Sequence, residues 1–217
     1  TNIDIFEDTP IVDLIVKEGK CYGVKSCDKI FISTNVILAT GGLGGIFDRS
    51  TNFSHICGDG YAMAIKNAVK LKDISYIQFH PTSLYEKGAE RQFLISESVR
   101  GEGALLLNHK DERFTDEMKP RDIVSKAILR EMEKENVDFE YLSMKSLGED
   151  KITMRFPMIF NELKNRGIDA RYENVPIVPC QHYTMGGIEC DMNGRTNIEG
   201  LFAVGEAGNC LLYTSDA

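Results

Sequence analysis

Four short segments spread along the chain carry the side chains that could do chemistry. In chain order they read GDG at 58–60, QFHPT at 78–82, SESVRGEG at 96–103 and HYTMGG at 182–187. Together they supply imidazoles, hydroxyls, Arg and Glu side chains close in sequence, and glycine turns. Guanidinium and imidazole groups hold carboxylates through several hydrogen bonds. The set therefore favours a site for a small dicarboxylate.

The two imidazoles, His80 and His182, come from distant parts of the chain. Pro81 restricts the backbone of His80 to extended geometry, and His182 stands among polar and hydroxyl residues in QHYT. A lone histidine in such a segment is often a hydrogen-bonded core residue, and that alternative stays open for both. If they converge, they form a pair of donors for a carboxylate.

Charged residues alternate at Glu97, Arg100 and Glu102, between apolar stretches on both sides. A solvated surface explains such a pattern as well as a site does. If the segment is buried, its charges must be paired, and a paired, desolvated Arg favours function. Arg121 follows Pro120 at the start of a predicted helix, where the macrodipole disfavours a cation. That placement also hints at function.

The composition excludes several classes of protein. The 217 residues carry a net charge of −8 and 42% are hydrophobic, which is enough for a core in one large or two small domains. The acidic chain has no basic run, so we expect no nucleic-acid partner. Its six cysteines form no CxxC pair, so we expect free thiols and no metal site. Without a long apolar run or a charged-then-apolar leader, we expect no membrane span and a cytoplasmic protein.

A fully apolar segment at 36–39 predicts a strand of the buried, parallel kind. It runs into Thr40, Gly41 and Gly42, where glycines would let the backbone approach a ligand. The glycines at 41–45 lack the GxGxxG spacing of a dinucleotide site, so a simple tight turn is an equal alternative.

Other elements follow from periodicity and turn residues. Further strands are predicted at Ile3 and Ile5, and at 11–16, 22–24, 29–32 and 201–206, and the sequence at 175–190 is strand-like. The segments 77–79, 93–95 and 104–107 are short and alternate with charged loops. Helices are predicted at 61–69, 121–135 and 158–163. Asp59 is placed to cap the first helix as an N-terminal acid, and Glu206 ends the last strand. The character of the chain changes near residue 74, from strand and glycine segments to short elements between charged loops.

Several motifs, taken in order, resemble one family of flavoproteins. They are ATGG at 39–42, TN at 51–52, GDGYAMA at 58–64, QFHPTSLY at 78–85, FLISESVRGEGALL at 93–106, ERF at 112–114, PRDIVSKAI at 120–128, HYTMGGI at 182–188 and GLFAVGEA at 200–207. The family contains L-aspartate oxidase and the flavoprotein subunits of succinate dehydrogenase and fumarate reductase. QFHPTSLY and the short link into PRD resemble the aspartate oxidase branch most.

The resemblance implies an α/β fold, with part of a Rossmann-like FAD-binding domain interrupted by an α+β capping domain. We place the FAD-binding pieces at 1–73 and 183–217 and the capping domain at 74–182. Within the second piece, 210–217 no longer resembles the family.

The resemblance also implies roles for individual residues. Arg121 matches the catalytic arginine that donates or accepts a proton, and Glu97 and Arg100 match its proton relay. The substrate-binding positions are His80, Thr82, Ser96 and His182. The family usually has Thr where this chain has Ser96, and the hydroxyl is retained. The FAD-contacting positions are Pro10, Ile11, Thr40, Gly41, Gly42, Asp59 and Glu206.

The implied reaction is the FAD-dependent oxidation of L-aspartate to iminoaspartate, with oxygen or fumarate as acceptor. In this family the reaction opens the quinolinate route to NAD, so quinolinate synthase is a possible pathway partner. The alternative is the flavoprotein subunit of a succinate dehydrogenase or fumarate reductase, which passes electrons to iron–sulfur or haem partners.

The chain also departs from the family pattern. The GxGxxG segment for the ADP portion of FAD, the second substrate-binding Arg expected after Glu206 and the helical carboxy-terminal domain are absent. We therefore interpret the chain as an internal fragment that is inactive by itself, a partial scaffold with exposed apolar edges. A metal-binding or regulatory Cys/His module is a further alternative that no ligand spacing supports.

Overall fold

The computed structural model describes residues 2–209, so the predicted off-family tail at 210–217 lies outside the described residues. The strands are β1 (Ile11–Lys17), β2 (Lys20–Ser26), β3 (Ile30–Ile32), β4 (Val36–Leu38), β5 (Leu71–Lys72), β6 (Ile77–Leu84), β7 (Leu105–Leu107), β8 (Glu140–Ser143), β9 (Val175–Thr184), β10 (Gly187–Ile188) and β11 (Leu201–Ala203). The helices are α1 (Asp59–Lys66), α2 (Glu97–Gly101), α3 (Arg121–Glu135), α4 (Glu149–Arg155) and α5 (Pro157–Asn165). Short 3-10 turns lie at Gly44–Ile46, Lys145–Leu147 and Gly205–Ala207.

The described chain divides into two compact units. The first takes in 2–46, 55–77 and 183–209, and the second takes in 47–54 and 78–182. These divisions fall near the predicted domain boundaries, except that 47–54 lies in the second unit rather than with the FAD-binding pieces. Segment 47–54 belongs to the second unit because Ser50 forms a parallel bridge with Gln181. The functional assignment of the two units as FAD-binding and capping domains stays a prediction.

The first unit is built on three small sheets. Strands β1, β2 and β3 form an antiparallel sheet, β5 pairs with β10, and β4 pairs in parallel with β11. The parallel pairing confirms the pairing predicted for the segment at 36–39, but Ile37 is 63% exposed, so the prediction that this strand is buried is wrong. Helix α1 and the strands enclose the core, whose members are Leu14, Cys21, Leu38, Tyr61, Met63, Ala64, Val69, Ile188, Ile198, Leu201 and Ala203.

The second unit contains a four-stranded sheet in the order β6-β9-β8-β7, together with helices α2 to α5. Strands β7 and β8 pair antiparallel, as do β8 and β9. Its core includes side chains from α3 (Val124, Ile128) and from the sheet (Leu106, Leu142, Ile177). Burying one face of α3 fixes where its amino terminus, and therefore Arg121, is held.

Helix α3 begins at Arg121 and ends at Glu135, as predicted from the periodicity and from Pro120. The strand predicted at Ile3 and Ile5 is wrong, since no strand forms there and the two side chains are 73% and 81% exposed. Without a neighbouring strand to pair with, alternating isoleucines do not suffice to make a strand.

The short segment at 93–95 forms no strand, and Leu94 makes a single bridge to Ser83 before α2 begins. The end predicted for the first helix is wrong. Helix α1 stops at Lys66, since Ala68 takes a left-handed backbone with φ 56. Helices α2 and α4 were not predicted, because five and seven residues are too few to establish a helical period.

Among the residues described, no helix combines the length and the apolar character needed to cross a membrane.

Candidate active site

The second unit brings His80 and His182 together. Their ring centroids lie 5.5 Å apart with planes inclined by 68°. His80, in the middle of β6, is 1% exposed, and His182, near the end of β9, is half-buried. Neighbouring strands in the same sheet therefore supply the two imidazoles, as the convergence of the pair required.

Burial and the nearby positive charge of Arg121 keep both imidazoles neutral. Burial, followed by the charge of Arg121, lowers the pKa of His80 to about 3. The same two causes lower the pKa of His182. Nδ1 of His80 accepts from the backbone amide of Thr82 at 3.3 Å, so the single proton of this neutral ring is on Nε2. His80 is therefore a neutral hydrogen-bond donor through Nε2.

A chain of alternating charge runs through Arg121, Glu97 and Arg100. Arg121 Nε donates to Glu97 Oε2 at 2.6 Å, and Arg100 Nη2 lies 3.2 Å from Glu97 Oε1 in an ion pair without hydrogen-bond geometry. Glu97 thus stands between two guanidinium groups. The alternating charges at 97–102 are in part buried and paired, so the interpretation as a purely solvated surface is wrong.

Arg100 is the most buried of these charges, at 2% exposure. Its Nη1 donates to the carbonyl of Glu117 at 2.5 Å, and burial lowers its pKa. The Glu117 carboxylate is held in turn by the amide of Leu106 at 2.8 Å and by Arg113 Nη2 at 2.6 Å. The buried Arg100 cation is therefore held by the Glu117 carbonyl and lies beside the Glu97 carboxylate. The analysis of the sequence did not identify Glu117, since no local spacing links it to Arg100.

Gln78 is a second residue that the sequence analysis missed. Its Oε1 accepts from Arg121 Nη1 at 2.7 Å. Gln78 and Glu97 therefore hold two different edges of the Arg121 guanidinium, whose side chain is 27% exposed. The position of Gln78 two residues before His80 on β6 was the only signal available, because alternate residues of a strand share a face.

Ser96 and Thr82 lie nearby in different roles. Ser96 is the N-cap of α2, with its Oγ accepting from the amide of Ser98 at 3.3 Å and lying 2.8 Å from Ser98 Oγ. Thr82 is fully buried and its hydroxyl donates to the carbonyl of Ile95 at 3.0 Å. These contacts explain how the two residues anchor β6 and α2 locally, and a substrate contact for either stays a prediction.

The first unit carries the predicted cofactor residues of the glycine turn. After β4, Gly41 has φ +72, a backbone that glycine adopts readily. A Cβ at Gly42 would overlap the Thr184 hydroxyl and would lie 2.5 Å from Glu206 Oε1. A Cβ at Gly60, at the start of α1, would overlap the hydroxyl of Thr40. Only residues without a side chain allow these close approaches.

Glu206 lies in the 3-10 turn after β11 rather than at the strand end that was predicted. Its Oε1 accepts from the amide of Thr184 at 2.6 Å, and its carbonyl accepts from the Tyr61 hydroxyl at 2.7 Å. Thr184 Oγ1 accepts from the amide of Leu43 at 3.2 Å. Glu206 and the glycine turn are thus tied into one polar cluster.

Pro10, Ile11 and Asp59 line one cleft of about 360 Å³ in the first unit, together with residues of α1. Asp59 is the first residue of α1, where its carboxylate is stabilised by the helix dipole. Residues from two separate motifs therefore meet in one concave surface.

Within residues 2–209, no three His, Cys, Asp or Glu side chains are placed to hold a metal ion.

Comparison with known proteins supports the family that the sequence motifs resemble. The FAD binding domain family matches residues 1–212. L-aspartate oxidase of Clostridium acetobutylicum is 45% identical over 213 residues, 96% of this chain and 49% of that protein. The enzyme of Clostridium perfringens is 47% identical over 210 residues, 94% of this chain and 48% of that protein. The chain thus spans about half the length of the curated relatives it matches.

A solved structure supports the fold independently. Escherichia coli quinol fumarate reductase, in a variant of its FrdA subunit, superposes with a TM-score of 0.81 at 34% identity. The match covers 91% of this chain and 38% of that one. Since the family model spans nearly the whole sequence and the same fold recurs in a related flavoprotein, this chain belongs to the FAD binding domain family.

Proposed function

We propose that the intact protein containing this chain oxidises L-aspartate to iminoaspartate, with FAD as cofactor and with oxygen or fumarate as the final electron acceptor. The observation that carries the proposal is the Arg121–Glu97–Arg100 chain beside two neutral imidazoles. The names of the Clostridium relatives support it. The reaction would open the quinolinate route to NAD, with quinolinate synthase as the pathway partner.

The residues of the first unit fit FAD. Gly42 and Gly60 leave no room for a Cβ, which suits a backbone against which a flat cofactor packs. Pro10, Ile11 and Asp59 share a cleft, and Glu206 is held by the backbone amide of Thr184 beside the turn. We assign these residues, with Thr40, Gly41 and Gly42, to the cofactor. Bound FAD supplies the two-electron acceptor.

The residues of the second unit would bind and deprotonate the substrate. His80 and His182 donate to a carboxylate without adding charge, and Arg121 supplies the cation. Oxidation of an amine to an imine removes a hydride equivalent from carbon and a proton from nitrogen. We assign this proton transfer to Arg121, which first gives a guanidinium proton to Glu97 at 2.6 Å and then takes the proton from the substrate nitrogen, restoring the cation. Glu97, whose side chain is 44% exposed, releases the proton it received to solvent, and Arg100 stabilises the charge on Glu97.

Arginine is an unusual acid–base group, because its free pKa lies far above neutrality. A proton that leaves Arg121 has the Glu97 carboxylate to receive it at hydrogen-bond distance, and Arg100 lies on the other side of Glu97. The pair of cations sharing one carboxylate is the physical basis for the relay. Ser96 and Thr82 complete the assignment as substrate-side hydroxyls.

Oxidation of succinate to fumarate is the second candidate, favoured by the superposition on a quinol fumarate reductase. The same residues would act, with the proton leaving the carbon next to the hydride donor. The capping role of the second unit is common to both candidates.

Reduction of the flavin tests the two candidates in one experiment. The intact, FAD-loaded protein is mixed anaerobically with L-aspartate or with succinate, and the flavin absorbance is followed. We expect bleaching by aspartate alone. Bleaching by succinate alone would assign the protein to the respiratory branch, and no bleaching by either would refute both reactions.

A further inference from the structure

The tautomer of His182 depends on a residue outside the predicted site. Thr51 lies in the segment 47–54 and is 6% exposed. Its Oγ1 lies 2.9 Å from Nδ1 of His182. Resting on the function proposed above, we propose that the Thr51 hydroxyl donates to this nitrogen and so holds His182 as an Nε2–H donor for a substrate carboxylate.

The direction of the hydrogen bond follows from the other partners of Thr51. A hydroxyl has one proton to donate, and the second acceptor within reach is the carbonyl of Gln181, at 3.3 Å. That carbonyl already accepts from the Thr51 amide at 2.9 Å. The shorter contact, to an imidazole nitrogen that otherwise needs a partner, is the better use of the proton.

The charge state of His182 determines how many protons its ring carries. Burial, followed by the charge of Arg121, lowers its pKa, so the ring is neutral and carries one proton. If Nδ1 accepts from Thr51, that proton is on Nε2. His80 reaches the same state by another route, since its Nδ1 accepts from the backbone amide of Thr82. Both imidazoles then present Nε2–H, the form that a carboxylate requires.

The position of Thr51 is itself well fixed. Asn52 Nδ2 donates to the carbonyl of His182 at 2.9 Å, and Arg91 Nε donates to the carbonyl of Thr51 at 2.7 Å. The amide of Gln181 donates to the carbonyl of Arg49 at 3.0 Å. The hydroxyl therefore meets the ring at a set angle, as an orienting partner must. Thr51 is a positioning residue, because it acts through His182.

The test compares Thr51→Val, which keeps the shape and removes the hydroxyl, with Thr51→Ser, which keeps the hydroxyl. Both are made in the intact, FAD-loaded protein. Malonate is the probe, since a single carbon between two carboxylates can form neither an imine nor a carbon–carbon double bond. We expect Thr51→Val to weaken malonate binding about tenfold and Thr51→Ser to stay within about threefold. KM for the substrate should rise about tenfold with kcat within about twofold, because a carboxylate contact serves ground and transition states alike.

Nitrogen-15 spectra of histidine-labelled protein give a readout that does not depend on turnover. The His182 signals are identified by their loss in His182→Gln. We expect a protonated Nε2 and a bare Nδ1 in the unaltered protein, and a shift toward Nδ1–H in Thr51→Val. Thr153→Val is the control, since its hydroxyl bonds only within α4. It should change neither malonate binding nor the spectrum.

The proposal is overturned if the unaltered protein carries its His182 proton on Nδ1, or if Thr51→Val binds malonate normally. If Thr51→Val fails to retain FAD, the proposal is tested by the spectrum of the unaltered protein and by malonate binding to Thr51→Ser. Failure of both aspartate and succinate to reduce the flavin would refute the proposed function, whereas the tautomer measurement would stand by itself.

Discussion

At the scale of single residues, the site uses neutral donors and shared carboxylates in place of many free charges. Burial lowers the pKa of His80 to about 3 and also lowers the pKa of His182, which favours the neutral form of both imidazoles. Glu97 balances two guanidinium groups. Arg121 is the one cation of this set that is held by two acceptors and also partly exposed. In the proposed function, its partly exposed edge is the part that an anionic substrate would contact.

Replacing Arg121 with Lys should separate charge from geometry. The Lys ammonium keeps the cation but loses the planar fork that meets Glu97 and Gln78 at the same time. We expect the rate of flavin reduction by substrate to fall about 100-fold or more, the usual size of a lost acid–base group, with malonate still bound. Stopped-flow absorbance measures the rate.

Arg130→Lys on the exposed side of α3 is the matched control and should leave that rate unchanged. Normal flavin reduction by Arg121→Lys would remove Arg121 from the proton-transfer role.

At the scale of elements, the start of α3 and the end of β4 position the residues of the two candidate sites. The amino end of α3 places Arg121 against α2, which carries Glu97 and Arg100, so one helix start and one short helix hold the Arg121–Glu97–Arg100 chain of ion pairs. In the first unit, the end of β4 delivers the glycine turn to the polar cluster around Glu206. In both places the candidate site residues lie at the end of a helix or a strand.

Gly42→Ala tests the turn after β4. A methyl group there would overlap Thr184 Oγ1 and the Glu206 carboxylate, neither of which can move without breaking its bond to a backbone amide. We expect the purified intact protein to retain less than about a tenth of its FAD, because the turn would be displaced by more than a backbone–cofactor contact tolerates. The ratio of flavin to protein absorbance measures retention.

Gly101→Ala is the control, since a Cβ at Gly101 meets nothing within 4 Å. Full FAD content in Gly42→Ala, with an unchanged circular dichroism spectrum, would contradict the proposed role of the turn.

At the scale of the whole molecule, the chain exposes more apolar surface than a finished unit needs. Ile32 is 73% exposed, and Ile30 and Ile37 are each 63% exposed, all on strands of the first unit. Exposed apolar side chains that form a patch mark an interaction surface. The chain spans about half the length of the curated relatives it matches.

The 217-residue chain expressed by itself should therefore bind a hydrophobic dye more strongly than the intact protein does. We expect the fluorescence of 1-anilinonaphthalene-8-sulfonate, per mole of protein, to be several-fold higher for the chain alone, without aspartate oxidation. A double variant, Ile30→Ser with Ile32→Ser, should lower that fluorescence. Equal dye binding by the chain and the intact protein would show that these side chains are not a covered surface.

Local signals in the sequence predict those elements that depend on only a few neighbouring residues. Helix α3 with its Arg121 start, the apolar strand before the glycine turn and its parallel pairing follow from periodicity, a proline and glycines, whose effects act over a few residues. The same signals fail where a short element depends on its neighbours, as at Ile5 and at α2.

Which side chains contact one another depends on the tertiary fold. Gln78 joins Arg121 across 43 positions of sequence, and Thr51 meets His182 across 131. The segment 47–54 belongs with the second unit for the same reason. Such contacts depend on the register of β6 and β9 and on where loops cross them, and a register shift of one residue would turn each side chain to the other face. The spacing of residues along the chain does not predict that register.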